Sequence, residues 1–127
     1  MRIIVADDTP KVRFALRVLI ERQPKLRVIG EAVDAGELLA MSQAVCPDLI
    51  LMDWELPGLD PDETLETLRC FCPGIQIIAL SSHIESQPAA LSAGVDAFIS
   101  KTIPPDHLLT AIMDSQITHA SEGRFIF

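Results

Sequence analysis

Side chains able to hold a cation, attack an electrophile or donate to an anion stand at four places in this chain. Each follows a short apolar run: the acid pair Asp7-Asp8 after Ile3-Ile4-Val5-Ala6, Asp53 after Leu49 to Met52, Ser81 after Ile77-Ile78-Ala79-Leu80, and Lys101 after Ala97-Phe98-Ile99-Ser100. Three carboxylates gathered within a few ångströms cannot all stay ionised and unpaired, because like charges about 4 Å apart repel by roughly 4 kcal/mol at an effective dielectric near 20. A cation resolves the repulsion. Asp8 and Asp53 with a backbone carbonyl and waters make the hard, incomplete oxygen cage that Mg2+ prefers. A carboxylate beside such an ion can accept a phosphoryl group as a nucleophile, with Lys101 supplying positive charge and Ser81 a hydroxyl donor.

These groups act together only if the elements carrying them bring the run ends to one edge. The apolar runs are short and continuous, as in strands buried on both faces of a parallel sheet. Between them lie helix signatures. Thr9-Pro10 reads as an N-cap with proline at the first helical position, and Val12, Ala15, Leu16, Leu19 and Ile20 form an inward stripe while Lys11, Arg13, Arg17 and Glu21 face water. After a second strand over Leu26 to Ala32, Asp34 and Glu37 have capping-box spacing for a helix running to about Val45, with Leu38, Met41 or Ala44, and Val45 inward. Asp60-Pro61-Asp62-Glu63 opens a third helix, carrying Leu65, Leu68 and Phe71 and ending at Pro73-Gly74. A weaker fourth spans about Ser86 to Ala93 and stops at Gly94, and a fifth begins at Pro104-Pro105-Asp106 with Leu108, Leu109, Ile112, Met113 and Gln116 or Ile117 inward. Strands alternating with helices imply an α/β fold, a doubly wound parallel sheet with helices on both faces. In the flavodoxin-like (βα)5 order 2-1-3-4-5, the first and third strands meet at the switch point where ligands bind.

The 127 residues fit one domain, and 49% hydrophobic residues against 5% aromatic imply an aliphatic core. A net charge of −8 argues against nucleic-acid binding, which needs a basic face to neutralise phosphates. No run is long enough to span a membrane and no signal-peptide pattern precedes the first acids, so a cytoplasmic protein without membrane contact is expected. Cys46, Cys70 and Cys72 are expected to be reduced thiols rather than a metal or redox pair.

The ordered set Asp7-Asp8, Asp53 within Leu51-Met52-Asp53-Trp54-Glu55-Leu56-Pro57-Gly58, Ser81, Ala93-Gly94-Val95-Asp96-Ala97-Phe98 and Lys101 resembles the receiver domain of bacterial two-component response regulators. The resemblance covers essentially the whole chain. It implies that Asp53 is the phosphoacceptor, that Asp7, Asp8, Asp53 and the Glu55 backbone carbonyl serve Mg2+, and that Ser81 and Lys101 contact the phosphoryl group. It also makes Ser81 and Phe98 the switch pair acting on the face of helix 4, strand 5 and helix 5. The implied partners are a histidine kinase or phosphotransfer protein and, on phosphorylation, a second copy as homodimer. Such a domain catalyses only its own phosphorylation and dephosphorylation. Thr102, where receivers often have proline, disfavours a cis peptide after Lys101, and the pattern is most similar to regulators with a helix-turn-helix DNA-binding output domain, which these residues lack. Residues 1–120 are expected to form the receiver, with 121–127 a tail or the start of a linker.

Other readings are a degenerate receiver acting as a phosphorylation-independent interaction module, a phosphatase of the haloacid dehalogenase type, and a flavodoxin-like flavin protein. The phosphatase needs its nucleophile motif after the first strand, and the flavin protein needs a phosphate-cradling loop there; neither is present.

Overall fold

The computed structural model describes residues 1–118 and 125–126, with side chains through Met113. Strands β1 (Arg2–Ala6), β2 (Arg27–Ala32), β3 (Leu49–Asp53), β4 (Gln76–Ser81) and β5 (Ala97–Ser100) alternate with helices α1 (Pro10–Ile20), α2 (Ala35–Val45), α3 (Pro61–Phe71), α4 (Gln87–Ala93) and α5 (Pro105–Thr118). All strand pairs are parallel, in the expected order β2-β1-β3-β4-β5. A short strand β6 (Phe125–Ile126) adds to the β5 edge, where the sequence suggested only a tail. No helix among the described residues is long and apolar enough to cross a membrane.

Strand alternation divides the core in two. Ile4, Ala6, Ile50, Met52, Ile77, Ala79 and Phe98 face the layer of α2, α3 and α4. Ile3, Val5, Leu49, Leu51, Ile78, Leu80 and Ile99 face α1 and α5. Nearly every central-strand side chain is therefore buried, and this makes the runs continuous rather than alternating.

Local chemistry sets the helix ends. Asp34 caps α2 by accepting from the Glu37 N–H at 2.8 Å, and Glu37 reaches back to the Val33 N–H at 3.0 Å. Asp60 caps α3 through the Glu63 N–H. Thr9 stands at the N-cap of α1 with Pro10 at the first helical position, but it makes no side-chain cap bond; its carbonyl takes the Val12 and Arg13 N–H groups, and its own N–H goes to the Asp7 carboxylate at 2.9 Å. Gly94, at φ +108°, ends α4 in the left-handed region that glycine tolerates. A 3-10 turn over Ile84–Ser86 precedes α4, which starts one residue later than expected.

Several expectations for side chains change. Arg13 and Arg17 do not simply face water: both pair with Glu31 on β2, because their long stems lie along the sheet edge. Ala15 and Val45 are exposed; on α2 Met41 rather than Ala44 packs on the core, and Ser42 also takes an inward place. Gln116 and Ile117 lie outside the described side chains. The peptide bond after Lys101 is trans, as expected.

Cys46 and Cys72 are joined in a disulfide, with Cα atoms 5.5 Å apart, which corrects the expectation of reduced thiols. The residues close α2 and α3, whose ends lie side by side where the chain enters β3 and β4. Sequence spacing alone does not show that proximity. Alkylation of the unfolded protein without reductant should label Cys70 alone, and after reduction all three cysteines; three labels without reductant would contradict the bridge.

Candidate functional site

Register brings the strand ends together. Ala6 lies opposite Met52, Asp53 opposite Leu80, and Ser81 opposite Ser100, so Asp7, Asp53, Ser81 and Lys101 all reach the carboxyl edge. Three backbone bonds close that edge: Asp7 N–H to Ala32 O at 3.0 Å, Trp54 N–H to Leu80 O at 2.8 Å, and Lys101 N–H to Ser81 O at 2.8 Å. The strand alternation then sorts the side chains. Asp7, Asp53 and Lys101 continue the pattern of residues facing α1 and α5, whereas Ser81 continues that of Ile77 and Ala79 toward α4.

The Lys101 ammonium lies 2.8 Å from Asp7 Oδ2 and 3.2 Å from Asp53 Oδ2. The other oxygen of each carboxylate is held by an N–H two residues on: Asp7 Oδ1 by Thr9 at 2.9 Å, and Asp53 Oδ1 by Glu55 at 3.0 Å. Asp7 is 1% exposed and Asp53 5%. Burial pushes the Asp53 carboxyl above the usual 3.8, and the Glu55 N–H and the Lys101 charge offset only part of this. Burial by itself lowers the Lys101 ammonium, but its hydrogen bond to Asp7 and the two carboxylate charges outweigh that and hold it above the usual 10.5. Asp8 is exposed, and oxygens of Asp7, Asp8 and Asp53 lie within 4.8 Å of one another, a set that fits a hard divalent cation.

On the other side, Ser81 Oγ donates to Glu55 Oε1 at 2.8 Å, and His83 Nδ1 lies 2.8 Å from the same oxygen. The hydrogen bond to Glu55, then its charge, raises the His83 imidazole above its ordinary value. The Glu55 side chain and His83 are contacts that sequence reasoning missed. The available signal was their shared position two residues beyond a strand-ending site residue. Arg13 was also missed; its guanidinium donates to the Asp7 carbonyl at 2.7 Å and so steadies the end of β1. Phe98 is 1% exposed within the core below Ser81.

The family model of the response regulator receiver domain matches residues 3–113. This chain belongs to that family. The receiver is 34% identical over 112 residues to the nitrate/nitrite response regulator protein NarL of Escherichia coli, covering 87% of this chain and 52% of that protein. It is 31% identical over 129 residues to the response regulator protein VraR of Staphylococcus aureus, covering all of this chain and 59% of that one. The chain thus spans only about half the length of the curated relatives it matches. Among solved structures, a LuxR-family two-component response regulator from Aurantimonas sp. SI85-9A1 superposes with a TM-score of 0.83 at 34% identity, over 98% of this chain and 87% of that one.

The ion pair and the burial of Asp53 both bear on the receiver's stability. Because the Asp53 carboxyl is raised in the folded protein, its ionisation opposes folding, and the stability it leaves at low pH is lost as pH rises through its folded value. Asp53→Asn should therefore melt higher than the parent at neutral pH without divalent cation. Lys101→Met strands a buried Asp7 and should cost about 2 kcal/mol, a buried-pair penalty discounted for the exposed part of the lysine. The double variant should recover part of that loss, as read by chemical denaturation; equal stability of parent and Lys101→Met would contradict the pairing.

Proposed function

We propose that this receiver is the phosphoacceptor of a two-component phosphorelay and that Asp53 takes the phosphoryl group. The carrying observation is the convergence on Asp53, whose carboxylate shares a 4.8 Å cluster with Asp7 and Asp8 and stands 3.2 Å from the Lys101 ammonium. Asp53 Oδ2, the oxygen that faces Lys101, attacks phosphorus, the bond from phosphorus to the donor breaks, and the donor leaves with the electron pair. An acyl phosphate remains on Asp53. To reset it, water attacks phosphorus, the bond to the Asp53 oxygen breaks, and inorganic phosphate departs. The donor is the phosphohistidine of a histidine kinase or phosphotransfer protein.

Asp7, Asp8, Asp53 and the Glu55 carbonyl would hold Mg2+, which supplies charge neutralisation for the transferring oxygens. The chain's own residues do the rest. The N–H of Glu55 fixes one Asp53 oxygen and so orients the other. Lys101 is already positioned for the charge that develops, so little reorganisation is needed. Ser81 is the hydroxyl donor for a phosphoryl oxygen.

Ser81 and Phe98 were expected to switch together, with Phe98 turning inward. Phe98 is already buried at 1% exposure, so an inward turn from this conformation yields no further apolar burial. The moving part on this reading is Ser81. An altered face of α4, β5 and α5 is then available to a second copy or to an output partner, including a helix-turn-helix DNA-binding domain beyond these residues. A location in the cytoplasm suits a kinase donor.

Incubation with a small acyl phosphate and Mg2+ should add one phosphate by intact mass, located on Asp53 by peptide mapping. Asp53→Asn and chelation of Mg2+ should each abolish it. Full phosphorylation of Asp53→Asn would refute Asp53 as acceptor.

A further inference from the structure

The Glu55 carboxylate has no part in acceptance as described above, yet it makes the closest contacts on the Ser81 side of the site. Ser81 Oγ donates to Glu55 Oε1 at 2.8 Å and Oε2 at 3.1 Å, and a hydroxyl has one proton to give. The same oxygen of Ser81 accepts the His83 N–H at 2.9 Å. The His83 ring closes the loop at 2.8 Å from Glu55 Oε1. Ser81 is fully buried, so its hydroxyl has no water to exchange with. Glu55 leaves the end of β3, while Ser81 and His83 belong to the end of β4. One carboxylate therefore clasps the two strand ends and takes the proton that a phosphoryl oxygen on Asp53 requires.

We propose that Glu55 is a positioning residue acting through Ser81: its carboxylate holds the Ser81 hydroxyl turned away from Asp53 and must release it for phosphoryl transfer. The proposal rests on Asp53 being the acceptor. The exchange trades one charge-assisted hydrogen bond for another, so the two arrangements lie close in free energy and a modest bias decides between them. A phosphoryl group supplies that bias twice, by attracting the Ser81 O–H and by repelling a like charge carried two residues from Asp53. Turning Ser81 also disturbs the acceptor of the His83 N–H. His83 directly precedes the 3-10 turn that leads into α4, so the exchange reaches that helix without any movement of Phe98.

The test measures phosphorylation rates of the full chain with a small acyl phosphate and Mg2+, by intact mass, for the parent, Glu55→Ala, Glu55→Gln, Ser81→Ala and Ser81→Ala with Glu55→Ala. Glu55→Ala should react at least about tenfold faster, the low end for loss of a hydrogen bond to a charged group. Glu55→Gln keeps an acceptor oxygen without the charge and should fall between. In the Ser81→Ala background the Glu55→Ala change should have no effect, because the hydroxyl it restrains is gone. The His83 amide resonance of unphosphorylated Glu55→Ala should also move toward its position in the phosphorylated parent. A parent that takes phosphate at the same rate as Glu55→Ala overturns the clasp. So does an acceleration that persists without Ser81, which would be plain charge repulsion of the donor. A parent that takes no phosphate on Asp53 overturns the acceptor reading itself, a distinct result.

Discussion

One ammonium group bridging two buried carboxylates is the constraint on which the site depends. Asp7 at 1% exposure and Asp53 at 5% would be costly as unpaired anions. Lys101 answers both at 2.8 and 3.2 Å. The pairing demands that the ends of β1, β3 and β5 face one point, although β4 lies between β3 and β5. Parallel register and strand alternation meet that demand: the three side chains continue one face of the pleat, and the sheet carries them to one edge.

The other face of the same edge is built differently. Ser81 continues the opposite set of the pleat and pairs with Glu55 and His83 rather than with Lys101. The site thus has a charged side that holds and neutralises, and a hydroxyl side whose single proton is already committed. Asp53 touches both, because the Glu55 N–H that fixes its Oδ1 belongs to the residue whose carboxylate grips Ser81.

Much of this was legible in the sequence because buried parallel strands leave continuous apolar runs, and the residue ending each run reports what stands at the carboxyl edge. The placing of Asp7, Asp8, Asp53 and Lys101 at strand ends followed from that, the Asp34 and Asp60 caps followed from their spacing to Glu37 and Pro61, and the order β2-β1-β3-β4-β5 came with the flavodoxin-like expectation. What escaped depends on distance in space. Nothing in the spacing of Cys46 and Cys72 says that the ends of α2 and α3 meet. Arg13 looked like a solvated helix residue because periodicity reports a face, not the reach of a long side chain. Thr9 does stand at the N-cap of α1, but its side chain makes no cap bond; its carbonyl takes the Val12 and Arg13 N–H groups. Phe98, named with Ser81 as a switch position, is placed by the pleat in the core beside Ala79.

The most direct test of the central ion pair is a carboxyl-carbon NMR titration of Asp53 in the parent and in Lys101→Met, without divalent cation. The Asp53 midpoint should lie above the ordinary 3.8 in the parent, because burial dominates, and should rise further when the lysine charge is removed. An Asp53 that titrates at the ordinary value and does not respond to the loss of Lys101 would contradict it.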